Sequence, residues 1–457
     1  MPDSYLTSLP CPLPEDIAHL KGVGDYDMAI KLIDRRLETD IPQMLRTRLE
    51  TERMFLQRLP RDYNLTDEQL LAEMAERAPG FTMEDLMEQV LDGRTDFIYL
   101  HGVRYFHEDT ASSLFKAYAD VNARAKEPYD DKKPHLDAQI RRVMAGKGKT
   151  RIGISGITRI RDHAFVAGET YRYHLPVPAR SMQQMPESIT CEPAYTSIDD
   201  RDSAQRTLYL ERKMDENTPV TFDYTYVQSP RYVNPMDESV HEIIYPDARP
   251  VCAEDLQEEA PHICFTPYLR ALAAELKGDE TDAVRIARKF YDFITTRVMY
   301  AYQRPYLLIE GGAEYTAVNL RGDCGLQAIL FIALCRIAGI PARWQSGLYA
   351  APGDIGSHDW AEFYSERLGW LPVDCSFGGG GKRAGSDLRW NFYFGNLEPW
   401  RMVANRRYYA PMAPEKCHKR FDPYDSQRGE IETETRGLYG GEFFTRYSMT
   451  VYEELED

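Results

Sequence analysis

The chain has 457 residues, a formal net charge of −17 and 43% hydrophobic residues, and this length predicts two or three domains instead of one core. The negative charge argues against nucleic acid or an anionic membrane as a partner, because phosphate binding needs a basic surface. No run of about 18 apolar residues is present, so no transmembrane helix is expected.

The first residues, MPDSYLTSLP, lack a basic region followed by an apolar stretch, so we expect no secretory signal. The eight cysteines show neither CxxC pairs nor zinc-finger spacing, which predicts free thiols in a reducing compartment. We therefore expect a cytoplasmic protein. The sequence contains no compact set of metal ligands, no EF-hand loop and no nucleotide-binding fingerprint, so no metal and no cofactor are predicted.

Residues 1–148 are predicted to form an N-terminal helical domain. Apolar residues at helical spacing indicate two amphipathic helices over 25–37 and 44–56. Thr66 and Thr82 are good N-caps for two further short helices, and alternation about His101-Gly102 indicates a β-hairpin. Two short helices followed by a hairpin are similar to a winged-helix module.

A winged helix raises the possibility of DNA binding, but the charges argue against it. The second short helix has four acidic residues and no basic one, and such a helix would repel phosphate; the acidic residues are Glu84, Asp85, Glu88 and Asp92. A scaffold, a dimer contact and a lid over the catalytic domain are the roles that remain open for this domain.

The periodicity changes from helical to alternating in residues 149–230. The segments 170–175, 206–211 and 221–226 alternate between apolar and polar residues, and clusters of Pro, Asp and Ser separate them. Several such strands in a short length predict a small antiparallel β-sandwich. Residues 231–457 are then left for a third, catalytic domain.

The stretch 321–341 predicts a turn, a buried helix and a stop. Asp323 is a suitable N-cap, Gly339 a suitable C-terminal residue, and Pro341 prevents continuation of the helix. Cys324 therefore lies at the first turn, where the helix dipole and unpaired N–H groups lower the pKa of a thiol. The same amides can bind a developing oxyanion.

Three strands are predicted downstream of this helix, over 342–350, 357–364 and 370–374. If the last two form a hairpin near residue 367, His358 and Asp374 lie nearly opposite each other. The carboxylate of Asp374 would then orient the imidazole of His358, which would act as the base for Cys324.

Three motifs in this region resemble the transglutaminase-like superfamily, which has a papain-like cysteine fold: Gly-Asp-Cys-Gly at 322–325, His-Asp-Trp-Ala-Glu-Phe at 358–363 and Gly-Trp-Leu-Pro-Val-Asp at 369–374. The resemblance implies a Cys324–His358–Asp374 triad. It also implies an α+β multidomain protein, with a papain-like transglutaminase core behind an antiparallel β-sandwich and an N-terminal helical domain. The chain departs from the family at Asp374-Cys375-Ser376, where Asp-Pro-Thr is common, but it keeps the carboxylate.

Other residues are predicted to contact the substrate. Gln303 and Tyr302 are alternative donors for the oxyanion hole, and Trp360 and Trp390 are assigned to the substrate groove, although aromatic clusters are more often core. The glycine run 377–382 is expected to be a loop, either a backbone surface for substrate or a mobile flap. The basic segment 401–407 is left open between an interface, a carboxylate-binding wall and plain surface, and the acidic segment 430–434 is expected to be solvated.

We therefore predict a thiol-dependent acyl-transfer enzyme that hydrolyses a peptide or related amide through an acyl-enzyme on Cys324. Two alternatives remain open: transamidation of glutamine-type amides, and a non-catalytic protein that binds peptides or glycans on the same fold. The expected partner is a peptide, protein or small amide substrate, with a glycan also permitted. The sequence does not predict the oligomeric state.

Overall fold

The computed structural model describes residues 5–129, 134–420, 424 and 426–456. Within these ranges no helix is both long enough and apolar enough to cross a bilayer. The helices are α1 Glu15–Val23, α2 Tyr26–Leu37, α3 Gln43–Asp62, α4 Asp67–Arg77, α5 Met83–Leu91, α6 Thr110–Ala117, α7 Ala119–Asn122, α8 Pro134–Met144, α9 Pro267–Lys277, α10 Ala283–Arg297, α11 Gly312–Asn319, α12 Cys324–Ile337, α13 Cys375–Arg383 and α14 Asp387–Phe392.

The strands form five sheets, and most pairs are antiparallel. They are β1 Tyr63–Leu65, β2 Phe97–Leu100, β3 Val103–His107, β4 Thr150–Ile160, β5 Glu169–Pro176, β6 Gln184–Glu192, β7 Ser197–Ile198, β8 Thr207–Met214, β9 Val220–Gln228, β10 Met299–Tyr300, β11 Arg321–Gly322, β12 Ala342–Ala351, β13 Asp354–Ser365, β14 Gly369–Val373, β15 Arg401–Asn405, β16 Glu430–Glu432, β17 Gly437–Leu438 and β18 Phe443–Glu454.

The N-terminal part contains the predicted capped helices and hairpin. Thr66 and Thr82 each accept a hydrogen bond from the backbone N–H three residues later, which fixes the starts of α4 and α5. The β2–β3 turn has His101 and Gly102 at φ values of 50° and 80°, and β1 adds to β3 as a third strand. Two positive φ values in a two-residue turn match the twist of a hairpin.

The sandwich contains more of the chain than the predicted segment 149–230. One sheet has the order β18-β4-β9-β6 and the other β17-β16-β5-β8-β7, so strands from 430–454 belong to both sheets. Ile152 and Tyr224 from one sheet and Tyr173 and Leu210 from the other are buried in a common core. The assignment of all residues after 230 to a catalytic domain is therefore wrong for β16, β17 and β18.

The acidic segment 430–434 is also not solvated as predicted. Glu430 and Glu432 are buried on β16, which pairs with β5. Lys416 Nζ lies 3.2 Å from Glu430 and 3.7 Å from Glu432, and this buried cation compensates the two carboxylates. A cation fourteen or more positions away along the chain is not visible in the local pattern of charges.

The predicted buried helix α12 lies at the centre of the third predicted domain. Asp323 Oδ1 accepts a hydrogen bond from Leu326 N at 3.1 Å, and Gly339 has φ +82° just after the helix. Helices α9, α10, α11 and α13 contact α12, and its remaining side packs on the sheet β14-β13-β12-β15. The predicted hairpin is β13–β14, with Phe363 opposite Leu371 and Ala361 opposite Val373.

The glycine run forms a helix instead of the predicted loop. Asp374 caps α13 by accepting a hydrogen bond from Phe377 N at 2.8 Å. Glycine costs about 0.5–1 kcal/mol in a helix relative to alanine, but here it permits close packing. A Cβ on Gly378 would overlap the hydroxyl of Tyr291 on α10, and one on Gly381 would lie 2.7 Å from Arg389 Cβ.

Candidate active site

Cys324 is the first residue of α12 and is partly exposed. Its Sγ donates a hydrogen bond to Asp359 Oδ2 at 3.5 Å. The other carboxylate oxygen of Asp359 accepts a hydrogen bond from Gln427 Nε2, which holds the side chain in place. Among the described residues, no hydrogen bond joins Cys324 to His358, so the thiol contacts the residue next to the predicted base.

The surroundings of Cys324 change the predicted behaviour of its thiol. Packing of protein atoms around the sulfur raises the thiol pKa well above its ordinary value, and the carboxylates of Asp359 and Asp323 raise it further. A hydrogen bond from the backbone N–H of Asp359 lowers the thiol pKa, but by less than burial and the carboxylates raise it. The expectation of a lowered pKa is therefore wrong for this resting arrangement, because the thiol is packed among protein atoms and two carboxylates lie beside it.

His358 and Asp374 meet as predicted. His358 Nε2 lies 2.7 Å from Asp374 Oδ2, and the two residues are 5% and 0% exposed. Burial opposes ionisation of Asp374, but His358 and Arg401 hold its pKa below the usual range. Burial lowers the pKa of His358 despite the nearby Asp374. An ionised Asp374 accepts the Nε2–H of a neutral imidazole, which leaves the lone pair on Nδ1.

Arg401 on β15 is part of this buried group. Its Nη1 lies 2.9 Å from Asp374 Oδ2, and its Nε donates to Glu398 Oε1 at 3.0 Å. Arg401, Asp374 and Glu398 are all fully buried. The guanidinium group also packs on an aromatic ring: its central carbon lies 4.2 Å from the centre of the Phe377 ring. Arg401 therefore pairs with carboxylates inside the protein, and for this residue the expectation of plain surface is wrong.

The N-terminal part contributes to the surroundings of Cys324. Ser113 Oγ on α6 accepts a hydrogen bond from Tyr302 N at 3.0 Å. Lys116 Nζ lies 3.7 Å from the centre of the Tyr300 ring and 4.9 Å from that of Tyr302. Burial raises the pKa of Asp323 to about 6, and the Lys116 charge opposes this rise. The helical part thus places a cation and covers two tyrosines beside the start of α12.

No hydrogen bond joins the predicted oxyanion donors Gln303 and Tyr302 to Cys324 among the described residues. Gln303 donates its amide to Ala301 O at 3.2 Å and accepts from Tyr315 OH at 3.2 Å. Tyr302 is 38% exposed and has the contacts with α6 described above.

The two predicted groove tryptophans have contacts within the protein. Trp360 is 2% exposed and its ring stacks on His358 with centroids 5.9 Å apart, so it supports the imidazole. Trp390 donates to Thr295 Oγ1 at 2.9 Å, and the ammonium of Lys382 lies 3.6 Å from its ring centre.

No group of three or more His, Cys, Asp or Glu side chains with the geometry of a metal site occurs among the residues that the structure describes. His262 uses both ring nitrogens within the protein. Gly312 N donates to Nδ1 at 3.0 Å, so Nε2 carries the proton and donates to Tyr306 O at 3.1 Å. Burial lowers the pKa of His262 to about 3, and this residue has a structural role.

Sequence reasoning missed Asp359, Gln427 and Arg401. Asp359 lies inside the recognised motif at 358–363, so its carboxylate next to the base was a visible signal. Gln427 comes from an irregular segment before β16 and Arg401 from a strand on the far side of β12. Neither has a local pattern that indicates the site.

Comparisons with known proteins agree with this core. Residues 270–375 match the family model of the transglutaminase-like superfamily. A search of curated proteins finds no match. The match and the fold define the class of this segment: residues 270–375 form a transglutaminase-like core.

Solved structures show weaker similarity. A candidate cysteine protease from Cytophaga hutchinsonii is 16% identical, with 67% of this chain and 88% of that chain covered and a TM-score of 0.41. The periplasmic domain of TgpA from Pseudomonas aeruginosa is 14% identical, with 55% of this chain and 95% of that chain covered and a TM-score of 0.27. No function is transferred from either protein.

Proposed function

We propose that the protein is a thiol-dependent acyl-transfer enzyme that hydrolyses a peptide or related amide through an acyl-enzyme on Cys324. The observation that supports this most strongly is the buried His358–Asp374 pair, which leaves a basic Nδ1 on the imidazole. A histidine oriented in this way is the general base that a cysteine nucleophile needs.

In the proposed reaction the thiol is neutral at rest and loses its proton only during attack. The step requires a rearrangement that brings the sulfur to His358 Nδ1, which takes the thiol proton, because the resting sulfur contacts Asp359 on the other face of β13. The Sγ–C bond forms at the substrate carbonyl, and the carbonyl oxygen becomes an oxyanion. The backbone N–H of Cys324, which has no partner within the helix, helps to bind this oxyanion.

The tetrahedral intermediate collapses when the C–N bond breaks and the imidazolium gives its proton to the leaving amine. The acyl group now resides on Cys324 as a thioester. Water, deprotonated by His358, then attacks the thioester, releases the carboxylic acid and returns the proton to the sulfur. An amine in place of water would give transamidation, and the proposal keeps hydrolysis as the main reaction.

The proposed substrate is a peptide, a protein or a small amide, and Asp374 acts by orienting the imidazole. A cytoplasmic location is part of the proposal. The eight cysteines, all of them free, support it, because unpaired thiols persist in reducing compartments.

The test uses intact mass spectrometry after incubation of the protein with a peptide library. We expect an acyl adduct on the wild type, a much smaller amount of adduct on His358→Ala, and none on Cys324→Ala. Cys335→Ala is the matched control, because Cys335 lies on the same helix but is fully buried in the core. An adduct that persists in Cys324→Ala would refute the assignment of the nucleophile.

A non-catalytic protein that binds peptides is the second candidate, and the contact between Cys324 and Asp359 favours it. A thiol held as a donor to a carboxylate is a poor nucleophile. Peptides that bind equally well to wild type and Cys324→Ala, with no adduct and no released product from either, would support this candidate against the enzyme.

A further inference from the structure

A cavity of about 640 Å³ lies between the β-sandwich and the sheet β14-β13-β12-β15. Its lining includes none of Cys324, His358 and Asp374. Segment 180–185 lines it from the sandwich, and segment 247–250 lines a second side. Arg343 and Gln345 contribute from β12, and Arg406 follows β15. Residues of several elements therefore converge on one space.

The charge of the lining is opposite to that of the chain. Four arginines and two aspartates line the cavity, whereas the whole chain has a net charge of −17; the arginines are Arg180, Arg249, Arg343 and Arg406, and the aspartates are Asp202 and Asp247. Asp255 and Glu362, which pair with Arg249 and Arg343 from outside the lining, offset part of this positive charge. Guanidinium groups are the preferred partners of carboxylate and phosphate.

Three of the arginines already have a carboxylate partner. Arg180 Nε lies 2.6 Å from Asp202, Arg249 Nη2 lies 2.6 Å from Asp255, and Arg343 pairs with the buried Glu362. These pairs fix the guanidinium groups in position around the cavity. A rigid array of this kind has a low entropic cost of binding an anion.

Arg406 differs from the other three. Its guanidinium donates to the backbone carbonyls of Asp202 and Ser203, with the Nη2 to Ser203 O distance at 3.2 Å. Burial lowers the pKa of Arg406, and the positive charges of Arg343 and Arg249 add to this effect, whereas the carboxylates of Asp202 and Glu362 oppose it. An anion in the cavity would relieve this repulsion between like charges.

Two largely buried amide residues are also part of the lining. Gln345 is 1% exposed and Gln183 is 6% exposed, and both line the space. Gln345 Oε1 and Gln183 Nε2 are buried and have no hydrogen-bond partner among the described residues. A buried polar atom without a partner costs about 1–3 kcal/mol. One acceptor and one donor, next to guanidinium groups, suit an anion that also carries a hydroxyl group.

We propose that this cavity is a binding site for a small hydroxylated anion, with Arg406 and Arg180 binding its carboxylate or phosphate group and Gln345 and Gln183 binding its hydroxyl. The volume accommodates a molecule the size of a hydroxycarboxylate or a sugar phosphate.

Isothermal titration calorimetry of the full chain at constant ionic strength tests this site, with citrate and ribose 5-phosphate as probes. We expect one-to-one binding of at least one probe, and the stronger of the two identifies the anionic group as carboxylate or phosphate. Arg406→Gln should weaken binding at least tenfold, and Arg180→Gln is a second variant at the more exposed side of the site. Inorganic phosphate, which cannot reach the two amides and the arginines together, should bind more weakly.

Arg407→Gln is the matched control, since Arg407 is the neighbouring residue but does not line the cavity. It should bind the probes like the wild type. Cys324→Ala should also bind them normally, so the result does not depend on the proposed catalysis. Absence of binding by both probes, or binding unchanged in both Arg406→Gln and Arg180→Gln, would overturn the proposal.

Discussion

The Sγ atom of Cys324 lies 3.5 Å from Oδ2 of Asp359, a carboxylate that is only 6% exposed. Asp359 directly follows His358, and successive residues of a strand point to opposite faces of the sheet. The same strand therefore supplies the imidazole on one face and a carboxylate beside the thiol on the other. Burial and this carboxylate both raise the pKa of the resting thiol, so removal of the carboxylate should change the reactivity of Cys324.

Substitution Asp359→Asn should lower the thiol pKa, because it removes a negative charge that disfavours the thiolate. A fall of one pKa unit corresponds to about 1.4 kcal/mol, and it raises the thiolate fraction about tenfold at pH values below the pKa. Rates of iodoacetamide labelling of Cys324, measured from pH 6 to 10, will show the shift. Asp354→Asn, on the same strand but exposed, is the control. Identical profiles for Asp359→Asn and wild type would contradict this role.

Arg401→Met should destabilise the protein by about 3–5 kcal/mol, because removal of one partner leaves buried carboxylates uncompensated. Asp374 and Glu398 both lose their cation, and the pKa of Asp374 should rise. Urea unfolding at pH 7 measures the free energy. Arg407→Met provides the comparison, since its side chain is 51% exposed and its ion pair with Glu259 is long, and it should cost well under 1 kcal/mol. Equal losses in the two variants would show that the buried network is not stabilising.

Acid should destabilise the protein below about pH 6.5, the ordinary pKa of histidine. Burial lowers the pKa of His174 to about 4 and of His262 to about 3. Below pH 6.5 the unfolded chain binds protons that the folded chain does not, so each histidine lowers stability by about 1.4 kcal/mol per pH unit until its folded pKa is reached.

Urea unfolding at pH 7, 6, 5 and 4.5 tests this sign. His262→Gln should reduce the loss of stability on acidification, because glutamine keeps a donor and an acceptor but does not titrate. His163→Gln, at an exposed position, should leave the pH dependence as in the wild type. Stability that increases from pH 6 to 4.5 in the wild type would be the opposite of the expected result.

Gly378→Ala should destabilise the protein even though alanine is the better helix former. The new methyl group would overlap the Tyr291 hydroxyl, which donates to Trp390 O at 2.6 Å. Overpacking of this kind costs about 1–3 kcal/mol. Gly379→Ala is the matched control on the same helix, because its closest neighbour is the flexible end of Arg383 at 3.2 Å. In thermal unfolding, Gly379→Ala should have a clearly higher midpoint temperature than Gly378→Ala. The reverse order would exclude close packing as the reason for the glycines.

Local signals in the sequence were sufficient for the central elements. The cap at Asp323 and the glycine at 339 predicted α12, and alternation on both sides of residue 367 predicted the hairpin that joins His358 to Asp374. These features depend on residues that are close in sequence. The catalytic roles of these residues remain predictions.

Features that depend on distant residues were not predicted. The helix at the glycine run requires Tyr291, more than eighty positions earlier, and the burial of Glu430 requires Lys416 and a pairing with β5. The environment of the Cys324 thiol could not be predicted either, because it depends on Asp359 facing α12 and on Gln427 binding Asp359. A sequence pattern records which residues share a face but not what covers that face.

The pairing of β4 with β18 has a consequence for biosynthesis. β4 is made early, but its neighbour β18 leaves the ribosome only after the entire thiol-bearing core has been translated. Until then the edge of β4 exposes unpaired backbone groups to which other strands can add. The high contact order of this sheet slows its completion, and nascent chains should depend on chaperones during that interval.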